Sequence, residues 1–258
     1  MRKFLFLSLI FTFLNLQANA AALQANISKE GAAGINRIVD SETNMPVSGA
    51  KVTLPQKNYS TKTNPDGTFD LNANINGSTI LSVEKDGYKP FSLTVNEKIA
   101  SRPIIVGIEK TNPMNIVIDK EMFHLGDNNY SDQSANAGDF RVKCVGPYYT
   151  KNVKIDRATD KTYLVIGSII GIDTKLARSM GQNKIVHAYA SPPEVFFNGN
   201  KIAEIQLNGD GQRIKIPRNL IRVGQNNEIT IKTGRNLMQT AYIDYDDIEF
   251  ANLSIETN

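Results

Sequence analysis

Thr63-Asn64-Pro65-Asp66-Gly67-Thr68-Phe69 decides the fold class. Asn64-Pro65 initiates a turn and Asp66-Gly67 accepts a positive φ, while Thr68 and Phe69 are the β-branched and aromatic residues that favour a strand. The same punctuation recurs outward. Short, partly alternating apolar runs at 35–39, 50–54, 68–71, 80–83, 91–95 and 104–108 are separated by turn residues such as Asp86-Gly87, with no window long enough for a stable helix. Past 110, strand runs read at 116–118, 140–145, 153–155, 163–172, 185–190, 194–197, 201–207, 213–216, 228–232 and 247–255. Asn198-Gly199 and Asn208-Gly209 are hairpin signals, and only 173–180 suits a turn or two of helix, which Gly181 stops. The expectation is an all-β chain of two β-sandwich domains in tandem: a small sandwich at 34–110, then a larger jelly roll at 115–258. Lys110-Thr111-Asn112-Pro113, with no apolar residue and a proline, marks the boundary.

With 258 residues, 41% of them hydrophobic and 21% charged, the composition is globular. Residues 1–20 read as a signal peptide: Arg2 and Lys3 form a basic start, 4–16 an apolar run, and Ala18-Asn19-Ala20 a small-x-small cleavage site. Residues 21–33 read as a flexible lead-in. The mature chain is expected in the periplasm or outside the cell, with no membrane span. Removing Arg2 and Lys3 leaves 27 basic against 26 acidic residues, spread evenly over both halves, so no nucleic-acid partner is implied. Cys144 stands alone, forms no internal disulfide, and reads as an inert, half-buried thiol.

Four stretches of the first half resemble the carboxypeptidase regulatory-like domain, a small transthyretin-like sandwich. They are Gly34-Ile35-Asn36-Arg37-Ile38-Val39-Asp40, Pro46-Val47-Ser48-Gly49-Ala50-Lys51-Val52, Thr63-Asn64-Pro65-Asp66-Gly67-Thr68-Phe69 and Val83-Glu84-Lys85-Asp86-Gly87-Tyr88. The resemblance spans 34 to about 95 and implies a non-catalytic module beside other domains. The second half is similar to the galactose-binding-like jelly roll of many carbohydrate-binding modules. That similarity rests on Phe123-His124-Leu125-Gly126-Asp127, Val195-Phe196-Phe197-Asn198-Gly199-Asn200-Lys201-Ile202, Ile216-Pro217 with Val223-Gly224-Gln225-Asn226, and Asp246-Asp247-Ile248-Glu249-Phe250-Ala251-Asn252-Leu253.

Catalytic patterns are scarce. The two histidines, His124 and His187, fit no H-E-x-x-H helix, and Gly167-Ser168-Ile169-Ile170-Gly171 sets its serine wrongly for a nucleophile elbow. The chain is expected not to be an enzyme. Neither Asp-Gly loop is an EF-hand: with Gly67 at the sixth place the end positions fall on Lys62 and Ala73, and with Gly211 they fall on Gln206 and Pro217.

In the jelly roll that the second half resembles, the first and last strands are antiparallel neighbours, which brings His124-Leu125-Gly126-Asp127-Asn128-Asn129 against Asp244-Tyr245-Asp246-Asp247. Asp127, Asp246 and Asp247 would then converge at one end of the sandwich and hold a structural calcium, since hard oxygen donors suit that ion; turn capping by Asp127 and Asp246, and pairing of Asp247 with a lysine, use the same residues. Sugar recognition needs an apolar platform and polar groups for hydroxyls. The chain has no Trp, leaving Tyr130, Tyr148, Tyr149, Tyr189 and Tyr245 as platforms, with Arg178, His187, Asn198, Asn236 and Asp244 near strand ends as the polar set. His187 and Tyr189 share one strand face by alternation. The function expected is an exported, non-catalytic protein that recognises polysaccharide or surface glycan through Arg178, His187, Tyr189, Asn198, Asn236 and Asp244. The alternatives are an adhesion protein with a protein partner and an accessory subunit of a surface hydrolase.

Overall fold

The structure, a computed structural model, describes residues 34–126, 140, 142–182, 190–235 and 247–258. The first module holds β1 (Asn36–Asp40), β2 (Lys51–Leu54), β3 (Tyr59–Lys62), β4 (Thr68–Phe69), β5 (Thr79–Glu84), β6 (Phe91–Val95), a single helical turn α1 (Glu97–Ala100) and β7 (Ile105–Ile108). The second holds β8 (Asn115–Leu125), β9 (Tyr148–Lys154), β10 (Thr162–Ile170), α2 (Lys175–Ser179), β11 (Glu194–Phe197), β12 (Asn200–Glu204), β13 (Gly209–Lys215), β14 (Asn226–Lys232) and β15 (Ile248–Thr257). The chain is all-β, as read from its turns.

In the first module, sheet β4-β1-β7 faces sheet β3-β2-β5-β6. Ile38, Val106 and Ile108 from the first sheet meet Val52, Leu54, Leu81 and Val83 from the second in one core. The Asp66-Gly67 turn forms as expected, with Gly67 N–H donating to Asn64 O and Thr68 N–H to the Asp66 carboxylate. A side chain at Gly67 would meet Ile38 O at 2.5 Å, so glycine is required there for space as well as for its φ of +77°.

In the second module, sheet β13-β10-β15-β8 covers sheet β12-β11-β14-β9. Leu164, Ile166, Phe250 and Ile255 interdigitate with Val195, Phe197, Ile229 and Ile231. Asn198-Gly199 closes the β11–β12 hairpin with φ of 48° and 78°, the pair of positive values that a two-residue primed turn needs. Thr174 caps α2 by accepting the Ala177 N–H, and Gly181 follows it at φ +72°. Asn208-Gly209 makes no hairpin: β12 and β13 lie in different sheets, and the Asn208 side chain instead accepts the Ile172 N–H and donates to Ile172 O. The strand read at 140–145 reduces, among the described residues, to a bridge between Cys144 and His124.

The two modules share a buried seam. Along β5, Leu81 and Val83 enter the first core while Ile80 points the other way, packing with Ile170, Ala251, Phe140 and Met122. The second module prepares for this with a phase change. The inward-facing pairs Ile166–Leu253 and Ile169–Phe250 are three residues apart on both β10 and β15, where a regular strand has two or four. Gly167 and Asn252 lie between those pairs. Asn252 adopts φ +59°, and the pairing of β15 with β8 shifts register between Ala251 and Leu253, where the extra residue falls on β8, Ala251 facing Met122 and Leu253 facing Asp119.

Candidate functional site

The expected sugar residues do not share one site. Arg178 lies on α2, after the Ile170 end of β10, with its guanidinium 3.6 Å from the Asp173 carboxylate. Asn198 lies at the opposite end of the sandwich, where its amide donates to Leu220 O at 2.8 Å and to Asn227 Oδ1 at 2.9 Å and its Oδ1 accepts the Glu228 N–H. Those bonds use Asn198 to hold the hairpin, so it is not available to reach a sugar with Arg178. His187, Tyr189, Asn236 and Asp244 fall outside the described residues, as do Tyr130, Tyr245, Asp127 and Asp246. Tyr149 is a core residue: its ring packs on Phe123 and Phe250 and its hydroxyl donates to Asp119. Burial and the neighbouring Asp119 charge push its phenol well above the ordinary value. Tyr148 is the exposed member of that pair.

Of the expected metal residues, Asp247 is described. β8 and β15 do run antiparallel, with Ile248 opposite Leu125. The Asp247 Oδ1 lies 2.9 Å from His124 Nε2. The described donors here are imidazole nitrogen, carboxylate oxygen and the Cys144 sulfur, a different set from the oxygen cluster expected for calcium.

The described residues form a cleft of about 390 Å³ along the seam. Phe91 and Leu93 from β6, Val117 from β8 and Val165 from β10 give it apolar walls, and Asn252, Ser92 and Gly167 are also part of its lining. Glycine at 167 is what lets three strands approach: a Cβ there would meet Ser92 Oγ at 2.5 Å, Asn252 Cβ at 2.8 Å and Ala251 O at 3.0 Å. Ser92 and Asn252 are each 3% exposed, and the Ser92 hydroxyl and both amide atoms of Asn252 are buried with no hydrogen-bond partner. A buried amide lacking partners costs about 1–3 kcal/mol, so these groups hold unspent hydrogen-bonding capacity beside a cavity.

The charged residues of the cleft are already engaged. Lys89 donates to Glu109 at 2.6 Å and lies 3.3 Å from Glu256, which Arg213 also binds. Burial pulls the Lys89 ammonium down, but the Glu109 hydrogen bond and the Glu256 charge outweigh it and hold it above its ordinary value. Asp210 accepts the Ser168 hydroxyl at 2.6 Å, the Thr94 hydroxyl at 2.7 Å and the Thr94 N–H at 3.0 Å, stapling the modules together. Sequence reasoning could not find this cleft, because Ser92, Gly167 and Asn252 are small or polar residues in strands and their covering comes from the other module.

Residues 37–118 match the CarboxypepD_reg-like domain family. The matched stretch takes in the first module and covers less than half of the chain. The match extends past β7 into the start of β8, beyond the residues that carry the resemblance in sequence. No curated protein matches this chain in sequence. Among solved structures, a β-D-glucuronidase from Dictyoglomus thermophilum is 15% identical, with 58% of this chain and 29% of that one covered at a TM-score of 0.27. A BuGH86 variant in complex with neoagarooctaose is 13% identical over 88% of this chain and 28% of that one, at 0.25. A candidate carbohydrate-binding protein from Bacteroides uniformis is 12% identical over 86% and 97%, at 0.20. The chain thus spans less than a third of the first two proteins. Likenesses this slight carry no argument about what the chain does.

Proposed function

We propose that the protein is a non-catalytic, exported carbohydrate-binding protein whose sugar sits in the seam cleft, between the regulatory-like domain and the second sandwich. The observation that carries the reading is the pair of buried, unpartnered groups beside the cavity, the Asn252 amide and the Ser92 hydroxyl. A sugar ring has apolar C–H faces for walls such as Phe91, Leu93, Val117 and Val165, and hydroxyls that both donate and accept. An amide offers a donor and an acceptor together, which suits vicinal hydroxyls. A cavity of about 390 Å³ is within the range of small-ligand sites. Each carboxylate of the cleft is engaged with a cation or a hydroxyl, which supports binding over acid–base chemistry. Export rests on the reading of residues 1–20, which lie outside the described residues.

The test is a glycan array on the chain from Ala21 onward, followed by calorimetric titration with the strongest ligand. Ser92→Ala and Asn252→Gly are each expected to weaken binding at least tenfold while leaving the circular dichroism spectrum unchanged. A blank array from folded protein, or variants that bind normally, would overturn the assignment, and a blank array would favour an adhesion spacer with a protein partner.

A further inference from the structure

We propose that His124, Cys144 and Asp247 form a binding site for a zinc-class divalent metal ion, which ties the first strand of the second sandwich to the last. The three residues come from separate passes of the chain, yet backbone hydrogen bonds fix them in place. Cys144 bridges His124, Val145 N–H donates to His124 O, and Gly126 N–H donates to Gly146 O. On the other side Glu249 pairs with His124 and Ile248 with Leu125, which sets Asp247 at the head of β15. One ligating atom from each residue lies within 4.8 Å of the other two, and the residues are 0%, 9% and 6% exposed. On a tetrahedral zinc, nitrogen, sulfur and oxygen ligands lie about 3.3–3.7 Å apart, so the His124–Asp247 pair, at 2.9 Å, opens slightly while the Cys144 sulfur stays within 4.8 Å of both.

The hydrogen bonding around these atoms is that of a metal site. His124 Nδ1–H donates to Val142 O at 2.8 Å. Its Nε2 lies 2.9 Å from Asp247 Oδ1, where a proton or a metal ion can join the two. An imidazole that gives its other N–H to a backbone carbonyl is the outer-shell arrangement of metal-bound histidine. At Cys144, Sγ accepts the Gly146 N–H at 3.2 Å and lies 3.9 Å from Gly146 O. Room for the carboxylate depends on Gly126, where a Cβ would stand 1.8 Å from Asp247 Oδ1.

Donor chemistry selects the ion. One imidazole, one thiolate and one carboxylate suit zinc, and the sulfur and nitrogen disfavour calcium and magnesium. Three protein ligands leave one tetrahedral position for water or another donor. The competing account is a proton in the same gap, giving an imidazolium–carboxylate pair beside a bystander thiol.

The test uses the chain from Ala21 onward, stripped with chelator and reloaded with zinc or cobalt(II). The expected results are one equivalent of bound metal per chain by elemental analysis, and a cobalt protein with thiolate-to-metal charge-transfer absorption and d–d bands of tetrahedral intensity. Cys144→Ala, a small replacement for a small buried side chain, should abolish the charge-transfer band and weaken affinity by about 100-fold or more while the protein stays folded. A second variant, Asp247→Asn, should weaken affinity but keep the band. A tenfold excess of calcium should not displace the metal. Failure of folded protein to bind either ion, or a band that survives Cys144→Ala, overturns the proposal in favour of the proton. Glycan binding plays no part in these readouts, so the outcome is independent of the function proposed above.

Discussion

Gln56 of the first module and Glu249 of the second, 193 positions apart, are hydrogen-bonded inside the seam, the Gln56 amide nitrogen donating to the Glu249 carboxylate. Both residues are buried. A buried carboxylate is tolerated only when donors surround it, so this contact aligns the modules as well as attracting them. Replacing Gln56 by Leu removes a donor from a buried charge and is expected to cost about 1–3 kcal/mol. Chemical denaturation followed by circular dichroism gives the magnitude. Small-angle scattering should also show a more extended chain, because the loss falls on the contact between modules rather than on either core.

Gly167→Ala tests the close approach of three strands. The added methyl meets Ser92 Oγ, Asn252 Cβ and Ala251 O at 3.0 Å or less, so strands must shift apart or distort. The expected cost is about 1–3 kcal/mol of stability, with loss of any cleft ligand. A Tm unchanged within a degree would mean that the seam gives way freely.

Asn252 separates conformation from chemistry. At φ +59°, alanine is strained and glycine is not. Asn252→Ala should therefore be about 1–2 kcal/mol less stable than wild type, while Asn252→Gly should be close to it. Both remove the amide, so both should lose ligand. Equal melting temperatures for the two variants would contradict the left-handed backbone at this position.

Asp40 makes the first module sensitive to acid. Its carboxylate accepts the Thr43 N–H at 2.9 Å, the Glu42 N–H at 3.0 Å, and the hydroxyls of Thr43 and Tyr88. Those donors, the Thr43 backbone first, hold its pKa down to about 2 from 3.8 against a smaller opposing push from burial. A carboxyl with a lowered folded-state pKa stabilises the fold above its unfolded value of 3.8 and loses that contribution as pH falls toward 2. The stability difference between wild type and Asp40→Asn should thus be constant from pH 5 to 7 and shrink between about pH 4 and pH 2. A difference that does not change across that interval would show that Asp40 is not the group titrating.

How much was legible in the sequence depended on where each signal was local. Asp66-Gly67 and Asn198-Gly199 set their turns through their own backbone preferences, and β11 at 194–197 was read to the residue. β3 was missed because Tyr59-Ser60-Thr61-Lys62 is an edge strand with one large apolar residue, half-exposed throughout. β8 was read as three residues at 116–118 although it runs to Leu125, because Asp119-Lys120-Glu121 breaks the apolar pattern midway. Asn208-Gly209 looked like a hairpin, but the Asn208 side chain bonds to Ile172, a contact 36 positions away that no window contains. The placement of β8 beside β15 followed from the jelly-roll resemblance and brought Asp247 to the right end, though the partners there are His124 and Cys144. The seam residues were hidden for a different reason. A buried Ser or Asn facing another module has the same alternation as one facing water.

The order β13-β10-β15-β8 carries a further consequence. The strand between β10 and β8 is the one made after every other strand described, so β8 waits some 120 residues for its neighbour. Until 248–257 emerges, this sheet is split in two, Ile80 and Met122 lack their Ala251 contact, and the histidine at the end of β8 has no carboxylate opposite it. A nascent or truncated chain lacking that segment can complete the first module but must hold the second one open.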